Sequence, residues 1–381
     1  MNAQRLLDTF LDLVRIDSPS LREANVAAYC KQALEEAGCT VRFDTSAPTT
    51  GSDTGNLVAL LPAAPDTGDA SAPAPSLYLS AHMDTVSPGE GIEPVIADGV
   101  ITSAGDTVLG GDDKVGVAAI IETVRTLAEA AASGRPHPAI GALLSVGEEI
   151  GLRGAHAMDC RDLGCAPCLV LDASGAPGVV VTGAPFHYLF EATFTGRAAH
   201  AGIEPERGVS AIALASKAVL AMQLGRLDER TTANVGIISG GNAFNIVPGS
   251  CVVTGEFRAM DEGRAREVKA QLAEALDAAV CGTDGSVAVE WEEEYRAFQI
   301  GEDDPLVQLV LAEARSLGLP AQTAVSGGGS DANVFAEKGM RALVLGTGMT
   351  DVHGLSESLA VADLEALARL CIAVAYASDV L

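Results

Sequence analysis

The stretch Leu79–Asp84, LSAHMD, joins a strand pattern to two side chains that can take part in metal chemistry. Apolar residues alternate along 77–81, which predicts a β-strand that ends at His82. Asp84 follows two residues later, and residues i and i+2 of a strand point the same way. Metal-ligating histidines commonly hold their second ring nitrogen against a carboxylate. We therefore expect His82 to be a metal ligand and Asp84 its orienting partner. Two solvated polar residues at a strand end are the alternative that this stretch leaves open.

Length and charge restrict the class of protein. A chain of 381 residues with 48% hydrophobic and 20% charged residues is long enough for two domains with sizeable cores. The net charge of −27 argues against nucleic acid and anionic membrane as partners, because both would repel the chain. Leu6, Phe10 and Val14 recur at helical spacing, and Asp8 and Asp12 within the same run argue against a signal peptide. No uncharged apolar run approaches about 18 residues, so we expect no membrane span and a cytoplasmic protein.

The eight cysteines allow two interpretations. Cys160, Cys165 and Cys168 have a C-x4-C-x2-C spacing that could indicate a metal site, but no fourth sulfur or histidine follows nearby. Reduced and mostly buried thiols in a cytosolic protein are the favoured interpretation.

From the N-terminus to about residue 183, strands, polar residues, loops and helices follow one another in a repeating order. Ser18 or Ser20 can cap a second helix over 21–38. The segment 62–75 is rich in Pro, Ala, Asp and Gly and is expected to be a surface loop, and 105–113 forms another loop. A long apolar helix over 114–132 can then cross between parallel strands.

Acidic residues and histidines follow the ends of the predicted strands, where ligands gather in open α/β sheets. The candidates are His82, Asp112, Asp113, Glu148, Glu149, Asp172 and His353. Two imidazoles and several carboxylates form a mixed nitrogen and oxygen donor set that suits zinc and is compatible with manganese or cobalt. Two ions about 3.5–4 Å apart become plausible if one carboxylate bridges them. Because Glu148 and Glu149 are adjacent, one can bind metal while the other shuttles protons.

Residues 184–293 differ in pattern from the segments on either side. Their predicted strands and helices follow the order β-α-β-β-α-β, the ferredoxin-like arrangement. After this segment the chain returns to alternating helices and strands. We therefore predict a catalytic metal-binding domain formed by 1–183 plus 294–381, and an inserted α+β domain formed by 184–293.

Seven segments make the chain resemble the dinuclear zinc metallopeptidases of family 20, the superfamily of peptidase T, glutamate carboxypeptidase and aminoacylase. They are SAHMDTV (80–86), LGGDDKVGVAA (109–119), SVGEEIGLRGA (145–155), LDASG (171–175), GRAAHAG (196–202), NIVPGS (245–250) and DVHGLSE (351–357). The GDD, GEEIG and SGGGSDAN forms resemble the peptidase T-like branch most. The resemblance implies an α/β fold with a mixed-sheet, zinc-exopeptidase-like catalytic domain flanked by helices and an inserted ferredoxin-like lid.

The resemblance also implies a dinuclear metal centre. His82 and Asp172 would bind one ion, Glu149 and His353 would bind the other, and Asp112 would bridge both. The expected cofactors are two divalent ions, zinc first and manganese or cobalt as alternatives.

The same resemblance gives roles to the neighbours of these ligands. Asp84 would orient His82, Glu148 would be the general base, and the Asp112–Asp113 peptide would be cis. Family members with aspartate where this chain has Asp172 are mostly aminopeptidase-like, which favours a small peptide with a free amino end as substrate.

In the family, the inserted domain is a lid and often also the dimer contact. His200 would stabilise the oxyanion, from its own subunit or the partner's, and Asn245 and Arg258 would hold polar groups of the substrate. Three further candidates follow a glycine-rich turn and could line the same cleft: Ser330, Asp331 and Asn333. The alternatives are a plain lid residue for His200, a turn residue for Asn245, a surface ion pair for Arg258, and helix capping for the last three.

These expectations define one function and two rivals. We expect metal-dependent hydrolysis of small peptides by an aminopeptidase or tripeptidase that can form a homodimer through its lid. An N-acyl amino acid deacylase or a carboxypeptidase is the rival among enzymes. A non-catalytic, metal-stabilised binding protein is the rival from another class.

Overall fold

The computed structural model describes residues 1–64, 74–164 and 166–380, and it divides into two compact units. The first unit comprises Met1–Gly183, Phe298–Ser326 and Ser330–Leu381. The second comprises Ala184–Ala297 and Gly327–Gly329. The sequence-based boundaries of the insertion are 184 and 293, whereas the second unit ends its main segment at Ala297 because its last long strand continues to Tyr295.

The secondary-structure elements are numbered here in chain order. The helices are α1 (Ala3–Arg15), α2 (Ala24–Glu36), α3 (Ala47–Thr50), α4 (Gly111–Ala132), α5 (Arg153–Ala157), α6 (Ala211–Ala221), α7 (Glu262–Val280), α8 (Pro305–Ser316), α9 (Asp331–Glu337) and α10 (Val361–Ala377). The strands are β1 (Thr40–Phe43), β2 (Leu57–Leu61), β3 (Leu77–His82), β4 (Glu93–Ala97), β5 (Val100–Ala104), β6 (Ile140–Ser145), β7 (Cys168–Ala173), β8 (Val179–Val181), β9 (Gly183–Ala184), β10 (Phe186–Thr195), β11 (Ala199–His200), β12 (Gly225–Asp228), β13 (Thr231–Gly240), β14 (Ile246–Val247), β15 (Ser250–Ala259), β16 (Ser286–Tyr295), β17 (Phe298–Gln299), β18 (Gln322–Ala324), β19 (Ala342–Gly346), β20 (Met349–Thr350) and β21 (Ser358–Ala360).

A mixed sheet organises the first unit, in the order β1-β2-β6-β3-β7-β19-β8-β18. Strands β6, β3, β7 and β19 are parallel neighbours, while β2 runs antiparallel to both of its neighbours, β6 and β1. The register pairs His82 with Ser145, so the carboxyl ends of β3 and β6 lie side by side. This edge of the sheet brings together residues that are far apart in the sequence, and the predicted mixed α/β fold is confirmed.

Helix α4 forms the centre of the first unit's core. Every residue from Gly111 to Val124 is buried, which is the environment expected for a helix that is apolar on all sides. The helix packs against α1, α10 and β3. Four buried charged residues are exceptions to the apolar pattern, namely Asp112, Asp113, Lys114 and Glu122, and charged groups at such positions need partners.

The second unit is an antiparallel sheet in the order β12-β13-β15-β10-β16, with α6 and α7 packed against it. Its core contains Phe190, Phe194, Phe257 and Leu276. Long strands and helices alternate along the chain as β10-α6-β13-β15-α7-β16, so the predicted ferredoxin-like arrangement is confirmed, with β12 as an added edge strand.

One local prediction was wrong. Helix α2 begins at Ala24 with Glu23 as its N-cap residue, because the Ser20 hydroxyl donates to Asp84 rather than to the helix. Helix α4 starts at Gly111, but Asp112 and Asp113 have non-helical φ and ψ angles, so regular helical geometry begins at Lys114, where the loop over 105–113 was predicted to end. Residues 65–73 of the predicted 62–75 loop lie outside the described residues.

The described cysteines are all free thiols, and most are buried. Cys160 is half-buried and Cys168 lies buried in β7, while Cys165 falls outside the described residues. Within the described residues, no helix combines the length and the hydropathy that crossing a bilayer requires.

Candidate active site

His82 is held at the end of β3 by groups on both sides of its ring. Its Nε2 atom lies 3.2 Å from Oδ1 of Asp112, and its Nδ1 atom lies 3.1 Å from the backbone oxygen of Asp84. A carbonyl oxygen can only accept, so Nδ1 carries a proton and Nε2 is the nitrogen directed at the acids. Burial lowers the pKa of His82, but hydrogen bonds to Asp112 and Asp84 outweigh it and raise the pKa well above the usual value.

Asp112 lies between two imidazoles. Its Oδ1 atom faces His82, and its Oδ2 atom lies 3.2 Å from Nε2 of His353. The same His353 nitrogen lies 3.0 Å from Glu149. Burial raises the pKa of Asp112, yet the hydrogen bonds from His353 and His82 keep it below the usual range. The hydrogen bonds to Asp112 and Glu149 raise the pKa of His353 to about 10. One carboxylate directed at two imidazoles is the arrangement that a bridging ligand requires.

Asp112 and Asp113 are joined by a cis peptide bond, as the resemblance implied. Asp113 is fully buried, and its carboxylate accepts from the backbone N–H groups of His82 at 3.3 Å and Gly116 at 3.1 Å. Burial raises its pKa well above the usual value. Asp113 was among the candidate ligands at the predicted strand ends, and the structure brings it next to His82.

The acids around His82 are crowded. Two sets have potential ligand atoms within 4.8 Å of one another, namely His82 with Asp113 and Asp172, and His82 with Asp112 and Glu149. Burial and then the charges of Glu148 and Asp112 raise the pKa of Asp172 well above the usual value. Divalent cations would relieve this repulsion, and the nitrogen and oxygen donors suit zinc, manganese or cobalt.

Asp84 links His82 to the turn Gly147–Glu149. It is fully buried, and its carboxylate accepts from the backbone N–H groups of Glu148 at 3.0 Å and Glu149 at 3.2 Å. The Ser20 hydroxyl donates to it at 2.7 Å. The position predicted to orient His82 therefore also fixes the backbone of the two glutamates.

Glu148 occupies the half-buried start of this turn. Burial, together with the charges of Glu149 and Asp331, raises its pKa well above the usual value, although the charge of His82 opposes the shift. A carboxyl group with a raised pKa can both take and return a proton near neutral pH.

Two buried charged residues that the sequence analysis gave no role make hydrogen bonds to the segments that carry the candidate ligands. Lys114 is buried, and its Nζ atom donates to the backbone oxygen of Met83 at 2.6 Å and the hydroxyl of Thr85 at 2.7 Å. Glu357 is buried, and its carboxylate accepts from the N–H groups of Gly110 at 2.8 Å and Asp112 at 3.0 Å. Both lie inside the motifs that carry the resemblance. A charged residue within an apolar segment or a motif was the sequence feature that could have identified them.

Ser330 and Asn333 cap helix α9 with a reciprocal pair of side-chain to backbone hydrogen bonds. This is the capping alternative, and substrate contact by these residues stays a prediction. Asp331 is buried and accepts from the Ser145 hydroxyl, and its Oδ1 atom has no hydrogen-bond partner among the described residues. Burial raises the pKa of Asp331 to about 6.

The remaining candidates lie in the second unit. His200 is exposed on β11, which pairs with β14, and the oxygen of Asn245 accepts from Ala201 N–H at 3.0 Å, so His200 and Asn245 are near neighbours. Arg258 donates to Glu256 at 3.0 Å and to the backbone oxygen of Gly327 at 3.2 Å. The ion pair that was the alternative for Arg258 is therefore present, and contact of Arg258 with substrate stays a prediction.

Comparison with known proteins finds a peptidase family model in each unit. Residues 189–281 match the model of a peptidase dimerisation domain, and residues 57–161 match that of peptidase family M28. The uncharacterised protein YqjE of Bacillus subtilis is 36% identical over 98% of both chains. A tripeptidase of Staphylococcus aureus superposes with a TM-score of 0.93 at 35% identity, covering all of both chains. The aminopeptidase PepT of Bacillus cereus superposes with a TM-score of 0.88 at 36% identity, covering 100% of this chain and 99% of the other.

A mixed α/β sheet with crowded acids and imidazoles at its strand ends, together with these similarities, defines a metal-dependent peptidase. The chain belongs to metallopeptidase family 20, in its peptidase T-like branch. It is a hydrolase of peptide bonds that depends on metal.

Proposed function

We propose that the protein is an aminopeptidase that cleaves short peptides, with tripeptides as its main substrates. The solved structures of a tripeptidase and an aminopeptidase, each at least 35% identical over the whole chain, support this substrate class. The observation that carries the proposal is the Asp112 carboxylate, whose two oxygens face His82 and His353 within a cluster of further acids.

Two divalent cations, zinc in preference to manganese or cobalt, are the proposed cofactors, and when bound they would polarise the scissile carbonyl and lower the pKa of water. His82 and Asp172 are the proposed ligands of one cation. Glu149 and His353 are the proposed ligands of the other, with Asp112 shared by both. The nitrogen and oxygen donors of these residues and their mutual proximity support this assignment.

Glu148 is the proposed general base. Its backbone is held by Asp84, and its raised pKa suits a group that takes a proton from water and returns it to the leaving amine. Asp84 keeps the His82 ring in one orientation while this happens. His200 is the proposed stabiliser of the oxyanion, and Asn245 and Arg258, with Ser330, Asp331 and Asn333, are proposed to bind the substrate.

Replacing Glu148 by glutamine tests the base assignment. We expect kcat to fall by about 10²–10⁴-fold while metal content stays that of wild type, because the amide cannot accept the proton. Metal content and the rate of peptide hydrolysis, measured on the same preparation, distinguish loss of the base from loss of metal. An active Glu148→Gln enzyme would refute the assignment.

A substrate panel tests the specificity. Tripeptides, dipeptides and N-acetyl amino acids are compared by kcat/KM under identical metal loading. The proposal expects tripeptides with a free amino end to be cleaved best. Preference for blocked amino ends would instead indicate a deacylase or carboxypeptidase, and no hydrolysis of any member would indicate a binding protein.

The second unit is also the proposed homodimer contact. Strand β13 pairs with β15 along one side, whereas on its other side only its first residues pair with the short strand β12. Among the described residues, 234–240 therefore form an open edge of the sheet. Ile237 is 62% and Ile238 is 51% exposed there, and Leu220 of α6 is 87% exposed. The opposite edge, β16, carries a run of glutamates that opposes pairing. The peptidase dimerisation match over 189–281 supports this surface.

The cytoplasm is the proposed compartment. All the cysteines that the structure describes are free, which is the state kept by a reducing environment.

A further inference from the structure

The turn Gly147–Glu149, called here the catalytic turn, is anchored through three successive backbone N–H groups. Glu148 and Glu149 donate to Asp84, and Gly147 donates to Oε1 of Glu23 at 2.9 Å. Gly147 has a φ of 61°, so the turn starts in the left-handed region that glycine tolerates best. Two buried carboxylates from different parts of the chain therefore fix the backbone that carries the proposed base.

Glu23 is completely buried, and both of its carboxylate oxygens accept hydrogen bonds. Its Oε1 atom also accepts from the N–H of Leu21 at 2.9 Å, and its Oε2 atom accepts from the Ser52 hydroxyl at 2.5 Å. Glu23 is the N-cap residue of α2, but its side chain makes no capping bond to that helix in the described structure. Its oxygens are directed instead to the catalytic turn and to the loop at Ser52.

The same N-terminal segment reaches the second anchor. The hydroxyl of Ser20, three residues before Glu23, donates to Asp84 at 2.7 Å. Segment 20–23 thus supplies one of the two carboxylates that hold the catalytic turn and donates a hydrogen bond to the other. Stability of α2 alone does not explain this arrangement, because a buried carboxylate is costly and an ordinary cap would face the helix.

We propose that Glu23 is a positioning residue that places Glu148 by holding the backbone N–H of Gly147. This inference rests on the proposed function, in which Glu148 is the base. The role of Glu23 depends on the reach of its oxygen atom rather than on its charge. A glutamine keeps an oxygen within reach of Gly147, whereas an aspartate keeps the charge but is shorter by one carbon–carbon bond of about 1.5 Å.

The experiment compares Glu23→Asp, Glu23→Gln and Glu23→Ala, with Glu122→Gln as the matched control. Glu122 is another buried glutamate of the first unit, and its carboxylate accepts from Arg5, from the N–H of Asn2 and from the Thr126 hydroxyl. For metal-loaded enzyme we expect kcat to fall about 10–100-fold in Glu23→Asp and Glu23→Ala, the usual cost of losing a supporting partner. We expect Glu23→Gln to stay within about threefold of wild type, and KM to change little in all of them.

Amide hydrogen exchange of the metal-free protein provides a readout that does not depend on turnover. Peptides covering 145–152 should exchange faster in Glu23→Asp and Glu23→Ala than in wild type, Glu23→Gln or Glu122→Gln. If Glu23→Ala fails to fold, the contrast between aspartate and glutamine still decides the question.

Three results would overturn the inference. They are equal kcat for Glu23→Asp and Glu23→Gln, wild-type kcat in a folded Glu23→Ala, or unchanged exchange over 145–152 in the aspartate variant. If wild type cleaves no peptide, the proposed function fails by itself, and the exchange data still decide whether Glu23 holds the turn.

Discussion

Glu357 offers a quantitative test of how the bridging position is supported. Its buried carboxylate accepts from the N–H groups of Gly110 at 2.8 Å and Asp112 at 3.0 Å. Replacement by alanine leaves both buried donors without an acceptor, at about 1–3 kcal/mol each. The alanine variant no longer pays the desolvation cost of the buried carboxylate, which offsets part of this loss. We therefore expect the free energy of unfolding to fall by about 2–3 kcal/mol, near the lower end of the sum for the two donors. Glutamine keeps one accepting oxygen and should lose roughly half as much.

The loss should also appear in metal binding. The backbone of Asp112 is no longer fixed in Glu357→Ala, and loss of such a supporting contact weakens metal affinity about 10–100-fold. The assay combines thermal unfolding of metal-free protein with zinc titration against a competing chelator. Glu365→Ala, which removes an exposed pair with Arg369 on α10, is the control and should change stability by less than about 0.5 kcal/mol. The reasoning is refuted if Glu357→Ala binds zinc and unfolds as the control does.

Three further predictions concern other parts of the chain. Burial lowers the pKa of His187, but ion pairs with Glu256 and Glu294 outweigh that effect and raise it above the unfolded value. The stabilisation of the second unit by His187 is therefore complete below about pH 6.5 and is lost as pH rises through the folded-state pKa. His187→Gln should flatten the pH dependence of the free energy of unfolding, and an unchanged profile would contradict this. Cys281 is exposed, whereas burial raises the pKa of Cys30 and Cys371 to about 12. A thiol reagent at pH 8 should therefore label Cys281 before the two buried thiols, and mass spectrometry of the labelled peptides checks the order. Ile238→Lys should convert a dimer to monomers in sedimentation experiments, and a dimer that persists would exclude the β13 edge as its contact.

Short-range pattern was sufficient for most of the fold. Alternation along 77–81 predicted a strand that the structure shows as Leu77–His82, and the β-α-β-β-α-β order of the insertion was correct. Capping of the second helix failed because Ser20 bonds to Asp84, 64 residues away, and no local preference contains that information.

Within the site, the sequence indicated which residue types lie at the strand ends, and the motifs indicated their order. The structure then places one ring nitrogen each of His82 and His353 3.2 Å from Asp112, and Glu149 3.0 Å from His353. Their binding of metal stays a prediction.

The sequence by itself determined the class of fold, the inserted domain and the candidate donors, because hydrophobic period and motif residues are local properties of the chain. Only the tertiary structure decided what holds those donors in place. The Gly147 to Glu23 bond spans 124 residues, and the Asp112 to Glu357 bond spans 245. Such contacts arise from the crossing of distant segments at one edge of a sheet, and they leave no periodic trace in the sequence.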